Sequence, residues 1–410
     1  MSTQPAIGDR LRQARVAAGM SQTEVVDSLA EHGVSLTKAG LSKYERGGSV
    51  PKPRTLRTLA QVLGVDTAFF FEEPAVSIEW LAFRKASRLG KKQQERIKTL
   101  ALVQVAAWHL LRRALEPNRQ PRPMIRTVVT VPADAESAAD QLREHWELGD
   151  RPIGSVTSVI EDAGGIVVES GDEEDLFDGL SGWLEDKTPV IVVSSSVSDD
   201  RKRFSLAHEL GHLAMDVGEI DSAAEEKLAH RFAAAFLVTA STARRELGER
   251  RRRLDFRELA VLKQKHGLSM QAWIYRAADL GIIDQSHART LLAEMSTRGW
   301  RRREPIAFNG HERLMHLQQL AVRALAEGVI SAATAERLFP GIQEEFGVAR
   351  VSAQSSMRVR RLMELPRLER ELFLEHAVAL VQDEYVEGGA LSGFETLAEE
   401  DHHDISLEKR

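Results

Sequence analysis

The sequence predicts a mostly α protein with a small β-sheet, an α+β fold in several domains. Three observations predict it. Apolar residues recur at helical spacing through most of the chain. Two short runs, Ile166-Val167-Val168 and PVIVVS at 189–194, are rich in β-branched residues and read as buried strands. The chain has 410 residues, and Pro117, Pro121, Pro123 and Pro132 crowd one stretch, which implies two or three domains with a linker.

The first domain is expected over residues 1–73 as a bundle of short helices. Residues 9–18 place Leu11, Ala14 and Ala18 at helical spacing, and Gly19 stops that helix. Ser21 followed by Glu24 predicts a capping box for a second helix carrying Val25, Val26, Leu29 and Ala30. Thr37 caps a third helix running through Tyr44, and residues 54–64 form a fourth with Leu56, Leu59, Ala60 and Leu63 inward. Residues 74–132 are expected to be a helical connector, helical over 78–115, and then a proline-rich linker. The second domain, 133–300, reads as helices at 138–146 and 156–163, the strands at 166–168 and 189–194, a turn at 178–183, and helices at 203–216 and 222–237. Residues 301–410 are expected to be helical near 311–327, 331–338 and 369–385, with a polar tail from Glu387.

Composition bounds the chemistry. Net charge is −6, and 28% of residues are charged, which argues against a wholesale nucleic-acid coat. The chain has no cysteine, so disulfides and thiolate metal sites are excluded and any zinc must sit on His and carboxylate. No apolar run reaches the ~18 residues that span a bilayer. The start, MSTQPAIGDRLRQ, lacks the basic and apolar regions of a secretory signal, and a cytoplasmic protein is expected.

Against the acidic background, Lys38, Lys43, Arg46, Lys52, Arg54 and Arg57 cluster with only Glu45 opposing them. Such a patch on a short-helix bundle predicts a helix-turn-helix whose second helix enters the major groove of DNA. The candidate contacts are Thr37, Lys38, Ser42 and Lys43 for bases, with Arg46 and Lys52 placed for phosphates. Glu45 is expected to pair inside the domain. Double-stranded operator DNA is the expected partner, and a homodimer would suit paired half-sites.

The strongest chemical signal is His208-Glu209-Leu210-Gly211-His212. On a helix, positions four apart share one face, so both imidazoles can reach one zinc at ~2.0–2.1 Å, with Glu209 as general base. A third ligand is needed. Glu226 is the leading candidate, because Ser222 as N-cap would occupy Glu225 in a capping box and leave Glu226 to face the metal. Asp216, four residues after His212, could instead be a ligand or accept from a ligating histidine, and His230, four after Glu226, could support a ligand or stabilise an oxyanion. The strand 189–194, if at a sheet edge, could pair with an extended substrate.

Two regions resemble known families. Residues 7–71, with GMSQTEVVDSLAEHGVSLTKAGLSKYERG and PKPRTLRTLAQVLGV, resemble the Cro/C1 (XRE) type of helix-turn-helix domain. Residues 136–281, with LREHWELGDRPI, FDGLSGW, PVIVV, RFSLAHELGHLAMD and EKLAHRFAAAFL, resemble the ImmA/IrrE family of metallopeptidases. The resemblance implies a zincin-like fold with a gluzincin-like site: His208, His212 and Glu226 as ligands and Glu209 as base. It also implies cleavage of a partner repressor, which would switch on its genes. The chain departs from the family where Leu237-Val238-Thr239 replaces a leucine-methionine-proline helix stop. The expected function is a DNA-binding regulator with a zinc endopeptidase domain; the alternative is a regulator whose peptidase-like domain is a non-catalytic sensor or scaffold.

Overall fold

The computed structural model describes residues 4–65, 67–71, 76–81, 90–119, 122–170, 177–184, 187–301, 303–330, 335–336 and 342. The chain divides into two compact units, Met1–Pro74 with Ala324–Arg410 and Ala75–Arg323. The first contains α1 (Gln4–Ala17), α2 (Gln22–Glu31), α3 (Lys38–Glu45) and α4 (Pro53–Leu63), followed by a 3-10 turn at Thr67–Phe70. Its helix starts are those the local sequence dictates. Ser21 Oγ accepts the Glu24 backbone N–H at 3.2 Å, and Glu24 accepts that of Ser21 at 2.6 Å. Thr37 Oγ1 accepts the Gly40 N–H at 3.1 Å. The inward stripe Leu56, Leu59, Ala60 and Leu63 is buried, as are Leu11, Val25, Leu29 and Leu41. Ala18, by contrast, lies just past the end of α1 and is exposed. Glu45 is buried and accepts from Arg15 at 2.5 and 3.1 Å and from Gln22 at 2.7 Å, so one carboxylate ties α1, α2 and α3 together.

The second unit begins with β1 (Ile78–Leu81), α5 (Lys91–Leu115), β2 (Thr127–Val128), α6 (Pro132–His145) and α7 (Val156–Asp162). It continues with β3 (Ile166–Ser170), β4 (Gly179–Leu184), β5 (Pro189–Ser194), α8 (Asp199–Ala214), β6 (Met215–Asp216) and α9 (Ser222–Leu237). Then follow α10 (Ala240–Leu247), α11 (Phe256–His266), α12 (Met270–Asp279), α13 (Gln285–Thr297) and α14 (Met315–Ala326), of which the residues to Arg323 belong to this unit. The main sheet runs in the order β1-β4-β5-β3, antiparallel except for the β3–β5 pair, and β2 pairs with β6 in parallel. This is the α+β fold that the sequence predicts. Among the described residues no helix is long and apolar enough to cross a membrane.

Several local expectations are corrected. Residues 78–81 are a strand, not the start of a helix. Residues 178–183 are not a turn: the Asp-Gly and Ser-Gly steps there are overridden because β4 pairs on both sides, with β1 and with β5. For the same reason β5 is no edge strand, since β4 and β3 flank it. The helix expected at 203–216 starts at Asp199 and stops at Ala214, where Met215 turns extended to pair with Thr127. At the far end, α14 covers most of 311–327; of 331–338 only 335–336 are described, and 369–385 and the tail from Glu387 lie outside the described residues.

The core forms where α8 and α6 pack on α9. Small side chains (Ala135, Ala138, Ala139, Ala229, Ala233) let the axes approach, and Phe232, Phe236, Leu206 and Leu210 fill the space between. Each such large side chain contributes about 1.5–3 kcal/mol by leaving water. A buried polar knot fixes α8 from its other side. Arg203 on α8 donates to Glu312 at 2.6 Å and to the carbonyls of Gly154 and Ile153 at 3.0 and 2.7 Å. Glu312 also accepts the N–H groups of Val156 and Thr157, both at 2.9 Å, and the Ser155 hydroxyl. The carboxylate thus sits on the N-terminus of α7, where the helix dipole favours negative charge.

Beside it, Glu161 is nearly fully buried. Burial pushes its carboxyl up to about 8; the His316 backbone amide and Arg119 oppose the rise, and Asp162 and Glu312 reinforce it. A carboxyl raised on folding stabilises the fold only while protonated. Its contribution is therefore complete below its unfolded value of about 4.5 and is lost as pH climbs towards 8. Glu161→Gln is expected to leave the melting temperature unchanged at pH 4 and to raise stability by about 1–3 kcal/mol at pH 8. Equal gains at both pH values, read by calorimetry, would contradict this.

Candidate metal centre and DNA-facing helix

α8 and α9 bring the candidate donors together because His208 and His212 sit one turn apart on α8 and Glu226 lies in the first turns of the helix packed against it. The two histidine Nε2 atoms are 3.2 Å apart. Glu226 Oε2 lies 3.2 Å from His208 Nε2, and its Oε1 lies 3.7 Å from His212 Nε2. Ligands ~2.0–2.1 Å from a tetrahedral zinc stand about 3.3 Å from each other, so these three separations suit one ion. Two facing imidazole lone pairs and a carboxylate are moreover a donor set that zinc takes without cysteine. The residues present therefore fit the metal that the motif implies. His208, Glu226 and His230 also have ligating atoms within 4.8 Å of one another. The His230 ring tilts against His208 at 4.6 Å between centroids and stacks on Phe204 at 5.6 Å.

Glu225 does not take the capping role that the sequence suggests. Asp221 is the N-cap of α9, accepting the Ala223 N–H at 3.1 Å, one residue earlier than expected. That leaves the Glu225 side chain to reach back to His212, whose Nδ1 lies 3.3 Å from Oε1. A carboxylate can only accept, so Nδ1 carries the proton and Nε2 presents its lone pair to the cluster. Burial pulls the pKa of His212 down, but the hydrogen bond to Glu225 and the charges of Glu209, Glu226 and Glu225 outweigh it and hold the value above the usual one.

Glu209, whose charge still bears on His212, reaches β4. Its Oε2 accepts from Ser181 Oγ at 2.7 Å. Position 179 has to be glycine for this: a Cβ there would lie 2.7 Å from Glu209 Cγ and 2.8 Å from its Oε1. All four groups open into one cleft of about 470 Å³ that also receives Leu81, Phe177 and Phe204. Asp216 lines the cleft, but because α8 ends at Ala214 it does not share a helix face with His212; it is exposed and accepts the Gly218 N–H at 3.4 Å.

In the first unit, α3 carries the candidate DNA contacts. Thr37, Lys38, Lys43, Arg46 and Lys52 are exposed and Ser42 is half-buried. The Thr37 hydroxyl is engaged in capping, and Arg46 Nε donates to the Ser42 carbonyl at 3.2 Å.

Two stretches of the chain match known families. Residues 6–68 match the family described as a helix-turn-helix domain, and residues 165–278 match that described as the IrrE N-terminal-like domain. The chain joins a helix-turn-helix domain to an IrrE-like domain. An HTH-type transcriptional regulator derived from the SPbeta prophage of Bacillus subtilis is 37% identical over 65 residues, 16% of this chain and 56% of that protein. HTH-type regulators of Sinorhizobium medicae and Rhizobium meliloti are each 34% identical over 67 residues, 16% of this chain and 45% of theirs. The chain thus spans about half the length of the curated relatives it matches. No solved structure matches it.

Around the cleft, sequence reasoning gave no role to Gly179, Ser181 or Leu81. The first two lie in FDGLSGW, where a small residue at every second position (Gly179, Ser181) was the available sign of a strand pressed against another element. Leu81 carried no such sign, because its place depends on pairing with a strand one hundred residues away.

Proposed function

We propose that the chain is a DNA-binding transcriptional regulator whose IrrE-like domain is a zinc-dependent endopeptidase that cuts a repressor-type protein and so controls gene expression. The observation that carries the reading is the convergence of His208, His212 and Glu226 within 3.2–3.7 Å beside a buried Glu209. His208, His212 and Glu226 would hold zinc, which when bound would supply Lewis acidity to the scissile carbonyl and acidify water. Glu209 takes the proton of the attacking water and passes it to the leaving amine. Ser181 holds one carboxylate oxygen and leaves the other for that transfer. Glu225 fixes the tautomer of His212. His230, beside His208, would donate to the oxyanion. Recognition of operator DNA rests on α3 with Lys38, Ser42 and Lys43, while Arg46 and Lys52 contact phosphates.

Metal content of the purified full chain tests the reading. About one zinc per chain is expected, lost in His208→Ala and in Glu226→Ala. A wild-type chain that holds none and takes up none on addition would refute it. Glu225→Ala should retain the site but bind zinc about 10–100-fold more weakly, measured against a competing chelator. Unchanged affinity would mean that His212 needs no orienting partner.

A further inference from the structure

β4 carries the peptidase side of the cleft. Gly179 and Ser181 face Glu209, one edge of the strand is bonded to β5, and the other is the edge on which an extended peptide would lie nearest the base. That edge is filled by the chain itself. β1 lies antiparallel on it, with Ile78 opposite Leu184, Trp80 opposite Gly182 and Leu81 opposite Ser181. Opposed residues of an antiparallel pair share a face, so Leu81 stands on the face of Ser181 and Glu209, and it lines the cleft with them. The fit is specific. Gly182 is crossed so closely that a Cβ there would lie 2.7 Å from the Glu79 carbonyl oxygen and 3.0 Å from both Ile78 Cγ2 and Trp80 Cε3. β1 lies outside both stretches matched by families, in the segment between them. A substrate pairing on the outside of β1 would sit one strand further off, about 4.8 Å more distant from Glu209.

We propose that β1 is a resident occupant of the substrate lane: the cleft engages an extended segment antiparallel to β4 in the place of residues 78–81, and the substrate carries the same chemistry, an aromatic side chain over Gly182 followed by an aliphatic one facing Glu209. This rests on the peptidase reading and deepens it. Substrate and β1 exclude each other, so a substrate engages only chains whose β1 has left the sheet. The lane selects by backbone pairing and by two side chains, which suits a partly unfolded segment rather than a folded surface.

The test uses the full chain with Glu209→Gln, so that nothing is cut, and a fluorescent peptide of residues 76–84 (VSIEWLAFR). Trp80→Pro in the protein removes the ring packed over Gly182, which loosens β1 and leaves β4 intact. Were β1 seated in nine chains of ten, the peptide would bind the Trp80→Pro form about tenfold more tightly than its parent. A peptide with Leu81→Asp should lose that affinity. Hydrogen exchange on the parent gives a second readout: added peptide should speed exchange at 78–81 and leave 179–184 protected. Equal affinity for both proteins, no binding to either, or binding that leaves exchange at 78–81 unchanged would each overturn the proposal. If Trp80→Pro does not fold, the exchange experiment decides alone. A chain that holds zinc and cuts protein while the peptide ignores β1 loses only this inference. A chain without zinc whose β1 still yields to the peptide loses only the peptidase reading.

Discussion

Glu209→Gln is expected to hold zinc as the wild type does and to cut its protein substrate about 10²–10⁴-fold more slowly. The amide has the shape of the carboxylate, so it keeps its place against Gly179 and its contact with Ser181. What it loses is the ability to take a proton. The proposed zinc donors are other residues, and metal content should therefore not follow activity. Single-turnover cleavage measured beside metal analysis separates the two. A variant that cuts as fast as wild type would remove Glu209 from the chemistry; one that loses zinc as well would show that the carboxylate helps to hold the metal.

Glu312→Ala is expected to cost about 3–5 kcal/mol of unfolding free energy. Both side chains of the Arg203–Glu312 pair are fully buried. Removing the carboxylate leaves a guanidinium in the interior without its counter-ion and strips the α7 N-terminus of three accepted hydrogen bonds. Replacing both partners by apolar residues, Arg203→Met with Glu312→Leu, should recover much of the loss, because neither charge is then stranded. Urea denaturation of the full chain reads both. A loss below about 1 kcal/mol, the range of exposed ion pairs, would mean that the pair is solvated.

What could be read from the sequence was local. The Ser21–Glu24 box, the Thr37 cap and the inward stripe of α4 each depend on residues within one or two turns, and each is found as expected. His208 and His212 share a face for the same reason. Glu45 could be assigned an internal role because a lone acid in a basic patch needs a partner, and Arg15 and Gln22 supply it. The misreadings of strands and helix ends are cases in which distant partners decided; that of the α9 cap is local. β4 looks like a turn until β1 and β5 flank it. Whether Asp221 or Ser222 starts α9 is a contest between two good capping residues, and its outcome decides what Glu225 does. The end of α8 at Ala214 is set by the pairing of Met215 with Thr127, not by any stop signal in the helix.

The buried Arg203–Glu312 pair also decides where the chain can be shortened. By sequence the peptidase region would be trimmed at residue 300, and the family match ends sooner still, at 278. A fragment ending at either point would strand Arg203 on the very helix that carries His208 and His212. It would also remove Glu304, which accepts from Lys263 at 2.9 Å and from the N–H groups of Met270 and Gln271, both at 3.0 Å, at the start of α12. The smallest expressible piece of this enzyme-like unit therefore extends past 312, and at its other end it must begin before residue 78 if the sheet is to keep its fourth strand.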